Sequence, residues 1–107
     1  MNNVCLSGSI LSPPKISFTQ KNICRAAFLL GVPRQRGRDK PEDFFSVICW
    51  GAEAEQIRDF CGIGERLELS GHLQTSTFEK NNEKVYRTEI IAEKINLMDR
   101  KKELTIK

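Results

Sequence analysis

The residues of this chain best suited to chemistry are aromatic rings in a predicted strand. The segment 44–50 reads FFSVICW, and alternate residues of a strand point to opposite faces. One face carries Phe45, Val47 and Cys49. The other carries Phe44, Ser46, Ile48 and Trp50, of which only Ser46 is polar. A half-buried strand normally has one apolar and one wet face, so the second face is either covered by protein or offered to a flat, apolar ligand.

Four basic residues stand just before this strand: Arg34, Arg36, Arg38 and Lys40. Aromatic rings beside fixed positive charge suit a polyanion with exposed rings, which describes single-stranded nucleic acid. Arginine also binds phosphate through two hydrogen bonds and can stack on bases. A charge run is often only a solvated connector. The three arginines nevertheless lead us to predict that this loop contacts phosphate.

Residues typical of enzymes or metal sites are sparse. The single histidine, His72, falls on the polar side of a predicted strand, with no Asp or Cys at a catalytic or ligand spacing, so we interpret it as a surface histidine. The four cysteines at 5, 24, 49 and 61 form no Cys-x-x-Cys pair. Phosphate-loop glycine motifs and paired carboxylates are absent from the sequence. We therefore predict no enzyme, no cofactor and no metal.

The bulk composition indicates one small globular domain. A chain of 107 residues, 39% of them hydrophobic, can bury one modest core. The net charge of +3 is compatible with nucleic acid but does not identify it. The sequence shows no signal peptide and no apolar stretch of about 20 residues. We expect a cytoplasmic protein with no membrane partner.

Hydrophobic periodicity predicts an all-β chain with one short helix. Strands are expected at about 3–11, 23–32, 43–50, 66–78 and 85–97, with a short extension at 15–18 and a helix at 52–61. Three strands, one helix and a long hairpin is the order of the OB-fold, a five-stranded Greek-key barrel that binds single strands and oligosaccharides. We predict an OB-fold domain over residues 1–98, with its helix between strands 3 and 4, and a short charged tail at 99–107.

The last hairpin adds two aromatic residues and several cations. Phe78 projects from the polar side of the fourth strand, where it could stack on a base. Tyr86 lies across the hairpin and either stacks as well or only pairs with a neighbouring strand. The further cations on or near turns that flank an OB groove are Lys15, Lys21, Lys80, Lys84 and Arg87.

Several motifs together resemble the bacterial single-stranded DNA-binding proteins. They are Val4-x-Leu6-x-Gly8, Ala26-x-Phe28-x-Leu30, the run from Phe44 to Gly51, Ala54-Glu55, and Gly-x-x-Leu-x-Leu-x-Gly-x-Leu from Gly64 to Leu73. The segment YRTEIIA at 86–92 is similar to the family's Tyr-x-Thr-Glu-Val-Val. No single motif is specific, but their order and spacing are, and they cover about residues 3–98.

The resemblance implies a homo-oligomer, usually a tetramer, that wraps and protects single-stranded DNA during replication, recombination or repair. It implies base stacking at ring positions on strand three and the last hairpin, here Phe44, Trp50 and Phe78. A family aromatic in the loop after strand two has no counterpart. Arg36 stands near that place, which exchanges a stacking contact for charge.

The sequence departs from the family at its C-terminus, where RKKELTIK replaces the acidic tip that recruits repair enzymes. We therefore do not expect recruitment through such a tail. The alternative is a primosomal adaptor of the same family, dimeric and acting mainly through protein partners in replication restart. An oligosaccharide- or peptide-binding OB module is possible on fold alone, but it does not explain the basic loop.

Overall fold

The computed structural model describes residues 1–34 and 42–98. It contains six strands and one helix in the order β1 (Val4–Ile10), β2 (Lys15–Phe18), β3 (Cys24–Pro33), β4 (Glu42–Trp50), α1 (Ala52–Phe60), β5 (Arg66–Lys80) and β6 (Glu83–Leu97). The predicted strands and the predicted helix are confirmed to within a few residues. In the part of the chain that the structure describes, no helix is long and apolar enough to span a membrane.

The strands form a ring of five, because the two ends of the sheet are joined. The sheet order is β1-β5-β6-β4-β3-β2, and β1 also pairs with β3. One edge of β3 pairs with β2 through residues 24–27 and then with β1 through residues 30–31. Pro13 and Pro14 separate β1 from β2, since proline cannot donate to a ladder. Strands β1 and β2 are thus two halves of one interrupted strand, which confirms the predicted five-stranded OB-fold and its single helix.

The core fills the inside of this ring. Val47 and Cys49 of β4 are fully buried there, and Phe45 packs against the same cluster, as the strand alternation predicts. Ile48 is also buried, at 6% exposure, although its position in the alternation places it on the outer face. On that outer face, Ile48 is therefore covered by other residues of this chain that do not belong to the core.

A bulge in β6 keeps both halves of that strand facing the core. Ser70 of β5 pairs with Lys94 and Gly71 pairs with Ala92, which leaves Glu93 as an extra residue. A bulge of this kind changes which residues point inward. The buried residues of β6 are Ile90 and Ala92 before it, and Ile95 and Leu97 after it.

Two glycines lie where backbones come together. A Cβ at Gly8 would collide with the carbonyl oxygen of Gly31, and one at Gly71 with that of Ile91. Glycine inside a strand often marks such a close approach. The narrow ring of strands therefore requires a residue without a side chain at both positions.

The helix is hydrogen-bonded to the backbone of β6 through two of its side chains. The backbone N–H of Ile95 donates to the Glu53 carboxylate at 2.9 Å, and the Gln56 amide nitrogen donates to the Ile95 carbonyl at 3.4 Å. Two side chains thus satisfy both backbone groups of one strand residue, which would be costly to bury unpaired. Ala54 and Ile57 complete the contact from the buried side of α1.

Candidate nucleic-acid interface

The outer face of β3 and β4 presents two rings of the predicted site. Residues directly opposite each other in an antiparallel pair point to the same side. Trp50 pairs with Arg25, Ile48 with Ala27, Ser46 with Leu29, and Phe44 with Gly31. Trp50 is 44% exposed and Phe44 is 63% exposed. Neither ring belongs to the core of this chain, so both are available to a ligand or to another subunit.

A groove of about 570 Å³ crosses this outer face. One wall is formed by Pro13 and Pro14, which precede β2, and by Lys15, its first residue; the opposite wall is formed by Arg87 and Glu89 of β6. The outer side chains of β3 and β4 form the floor between them, which explains why Ile48 is buried outside the core. Lys15 and Arg87, both predicted from the sequence, are thereby brought to one site.

Phe78 stands on the same face, further along the hairpin. It pairs with Val85, while Arg87 pairs with Ser76, so Phe78 and Arg87 are diagonal neighbours on one side of the ribbon. The guanidinium carbon of Arg87 lies 4.7 Å from the centroid of the Phe78 ring. Phe78 is 37% exposed. The hairpin therefore presents the Arg87 cation at the groove wall and the Phe78 ring nearer the hairpin tip.

Arg25 is the residue of this face that the sequence reasoning missed. Its guanidinium carbon lies 5.5 Å from the centroid of the Trp50 ring, and its side chain lines the groove. Within β3 it is the single charged residue, and it alternates with the buried Cys24 and Ala26. That isolated cation on the outward side of an apolar strand was the available signal.

Tyr86 and Lys84 lie on the other side of the hairpin. Tyr86 pairs with Thr77, and Lys84 pairs with Glu79. These positions alternate with Phe78 and Arg87, so their side chains point to the opposite face of the ribbon. Tyr86 is 70% exposed. The structure therefore does not bring Tyr86 together with Phe78, although both belong to the same predicted site.

Three of the remaining predicted cations, Lys21, Arg34 and Lys80, lie within the described residues and do not line the groove. Arg34 is bound to Asp43, with Nη2 and Nε 2.9 and 3.0 Å from one carboxylate oxygen, and this hydrogen bond raises the arginine's pKa above its usual value. Lys21 lies in the turn between β2 and β3, and Lys80 at the tip of the hairpin. The loop residues Arg36, Arg38 and Lys40 lie outside the described residues.

The side chains that could support other chemistry have ordinary surroundings. His72 Nδ1 lies 2.7 Å from a carboxylate oxygen of Glu93 on the outer surface. Burial raises the pKa of the Cys49 thiol to about 12, which makes it a poor nucleophile. In residues 1–34 and 42–98, no three His, Cys, Asp or Glu side chains are grouped so as to hold a metal ion.

Residues 1–98 match the sequence profile described as the single-strand binding protein family. The chain belongs to that family. It is 33% identical over 105 residues to single-stranded DNA-binding protein 3 of Listeria innocua, covering 94% of this chain and 66% of that protein. It is also 30% identical over 103 residues to the single-stranded DNA-binding protein of Clostridium tetani, covering 92% and 71%.

A third relative is the single-stranded DNA-binding protein of Bacillus cereus, 30% identical over 104 residues, which cover 92% of this chain and 61% of that protein. The chain thus spans about two thirds of the length of these relatives. Family membership agrees with the predicted resemblance and with the prediction that the chain is not an enzyme, because the single-strand binding protein family consists of DNA-binding proteins.

Proposed function

We propose that this chain binds single-stranded DNA, without strong sequence preference, in the groove on the outer face of β3, β4 and β6. The observation that carries the proposal is the shared face of exposed rings and cations. Trp50 and Phe44 lie on the floor strand, Phe78 stands on the hairpin, and Arg25 and Arg87 lie beside two of these rings. The names of the family and of the relatives support the same ligand.

Stacking supplies the sequence-tolerant part of the affinity. Each base stacked on an aromatic ring is worth about 1–3 kcal/mol, and any base can stack because every base has a π-face. Trp50, Phe44 and Phe78 therefore make a large contribution to local affinity. A duplex keeps its bases stacked inside and cannot use these rings, so the groove discriminates against it.

Phosphate contacts supply the salt-dependent part. Lys15, Arg25 and Arg87 line the groove itself. We propose that the predicted cations outside it contact phosphates beyond the groove; they are Lys21, Arg34, Lys80 and the loop residues Arg36, Arg38 and Lys40. If one subunit neutralises about four phosphates, the logarithm of the affinity falls with the logarithm of salt at a slope near −3.

Tyr86 and Lys84 serve a different stretch of DNA in this proposal. They point away from the face that carries Phe78 and Arg87, so one short strand in the groove does not reach them. A longer strand that passes around the hairpin can stack on Tyr86 and place a phosphate near Lys84. Such a path fits a protein that wraps its ligand.

A titration with oligo(dT) tests the proposed function. Trp50 is the single tryptophan and lies beside Arg25, which lines the groove, so its fluorescence should be quenched as DNA binds. A duplex of equal length should bind far more weakly under the same conditions. Equal binding of duplex and single strand, or no quenching at low salt, contradicts the proposal.

We also propose that the chain acts as a homo-oligomer, with a tetramer as the expected state, protecting DNA during replication, recombination or repair. Sedimentation in the absence of DNA distinguishes this from the dimeric adaptor. A tetramer that binds oligo(dT) tightly supports the coating role. A dimer whose affinity for oligo(dT) is weak supports the adaptor instead.

A further inference from the structure

Glu89 is the acidic side chain of an otherwise basic groove. Among the described residues that line the groove, the charged ones are Lys15, Arg25, Arg87 and Glu89. The Glu89 side chain is only 12% exposed, whereas that of Arg87 is 54% exposed. A carboxylate in the path of a polyanion repels phosphate at that point. The strand must therefore turn something other than a phosphate toward Glu89.

The contacts of Glu89 leave acceptor capacity unused. One carboxylate oxygen lies 3.5 Å from the Ser76 hydroxyl, which can donate a hydrogen bond to it. The other forms an ion pair with Arg87, whose Nη1 is 3.9 Å away, beyond the range of a direct hydrogen bond. A carboxylate offers about four acceptor sites and no donor. Ser76 and Arg87 together do not use all four, so a donor group on the ligand can also bind this carboxylate.

Bases differ in the donors that they bring to such a site. Cytosine carries an exocyclic amine at N4, the usual partner of a glutamate among the bases, whereas thymine carries a carbonyl oxygen at O4. Uracil has the same carbonyl without the methyl group. Its one ring N–H lies between two carbonyl oxygens, which a carboxylate repels. Glu89 therefore interacts favourably with one pyrimidine and unfavourably with the other.

We propose that Glu89 gives this groove a preference for bases with an exocyclic amine over bases that present a carbonyl at the same position. The inference rests on the proposed function, since it concerns the base that lies against the β6 wall. It adds a modest selectivity to a binding face whose rings accept any base. Arg87 holds the phosphate side of the same nucleotide by charge.

The experiment compares oligo(dC) with oligo(dU) of equal length, because this pair differs in the amine without the thymine methyl. Fluorescence anisotropy of labelled oligonucleotides, at about pH 8 so that cytosine stays unprotonated, yields the ratio of the two dissociation constants. In the wild type we expect oligo(dC) to bind at least about threefold more tightly than oligo(dU), which is near the lower end for the net contribution of one ordinary hydrogen bond.

The variant Glu89→Gln removes the charge at constant shape, and its amide can donate to a uracil carbonyl, so the ratio should fall to about one or below. Glu93→Gln removes a charge from the same strand outside the groove, where Glu93 contacts His72, and should leave the ratio unchanged.

A Glu89→Gln variant that binds both oligonucleotides more tightly by the same factor overturns the inference, because Glu89 then acts by repulsion alone. A wild-type ratio of one overturns it as well. Either result leaves the proposed function standing. The proposed function itself fails if neither these oligonucleotides nor oligo(dT) binds at low salt.

Discussion

The guanidinium of Arg25 lies over the indole ring of Trp50, with its central carbon 5.5 Å from the ring centroid. The two residues are direct partners across β3 and β4, so the sheet itself holds them together. Arg87 and Phe78 repeat the arrangement on the hairpin at 4.7 Å. A cation within about 6 Å of a ring face is attracted to it. In the proposed complex, each pair presents a ring to a base and a positive charge to the adjoining phosphate.

Replacing Arg25 should weaken DNA binding in a salt-dependent way. Arg25→Ala removes one phosphate contact, so the slope of log affinity against log salt should become shallower by about 0.7, the increment for one contact on a single strand. Arg25→Lys keeps the charge and should keep the slope. Titrations with labelled oligo(dT) at several salt concentrations measure both.

The control for Arg25 is Arg58→Ala. Arg58 is bound to Asp59 on α1, 2.8 Å away, and does not line the groove. Its removal should leave the slope as in the wild type. If Arg25→Ala also leaves the slope unchanged, Arg25 is not a phosphate contact.

The effects of replacing Phe78 and Tyr86 should depend differently on the length of the oligonucleotide. With an oligo(dT) of about six nucleotides, short enough to stay in the groove, Phe78→Ala should cost about 1–3 kcal/mol and Tyr86→Ala less than about 0.5 kcal/mol. With a much longer oligonucleotide the Tyr86 variant should begin to lose affinity. Equal losses on the short oligonucleotide contradict the assignment of the two rings to separate faces.

Gly71 should tolerate no side chain. A Cβ there meets the Ile91 carbonyl oxygen, and relieving such an overlap typically costs about 1–3 kcal/mol. Gly71→Ala should lower the free energy of unfolding by that amount in urea. Gly62→Ala is the matched control, since its Cβ would meet nothing within 4 Å, and it should be neutral or slightly stabilising. Equal effects at both positions would falsify the close approach of β5 and β6.

The buried thiol of Cys49 should make the fold sensitive to alkali. Its pKa rises from 9.0 to about 12 on folding, chiefly through burial, so as the pH rises the unfolded chain loses its proton first. Ionisation of this thiol leaves the free energy of unfolding unchanged below about pH 9. As the pH rises toward 12, it lowers the free energy of unfolding by up to about 1.4 kcal/mol per pH unit.

Other groups also titrate in this range, so the test for Cys49 compares the loss of stability in the wild type with the loss in a variant without the thiol. Unfolding in urea at about pH 8 and about pH 10 should show a smaller loss for Cys49→Ala than for the wild type. The variant is less stable at both values, because it leaves a cavity. Identical losses mean that the thiol is not the responsible group.

The alternation of residues along the strands predicts much of the fold and part of the site. Alternation along β4 is enough to predict that Val47 and Cys49 point inward and that Trp50 points outward. Arg25 was missed because its strand was interpreted only for its apolar side. The bulge at Glu93 was missed because an extra residue shows only against its partner strand.

The opposite orientations of Phe78 and Tyr86 depend on the register of the hairpin. Their separation in the sequence places the two residues close together. The face of the hairpin to which each side chain points is set by which residues pair across the two strands. Phe78 pairs with Val85, which shifts Tyr86 to the other side. The burial of Ile48 on the outer face likewise depends on the groove walls, which come from β2 and β6 and not from its own strand.

The measurement that tests the central claim most directly is the salt-dependent binding of labelled oligo(dT) to the wild type, Trp50→Ala and Phe78→Ala. The rings carry no charge, so each variant should lose about 1–3 kcal/mol at every salt concentration while the salt slope stays the same. Losses below about 0.5 kcal/mol in both variants contradict base stacking on this face.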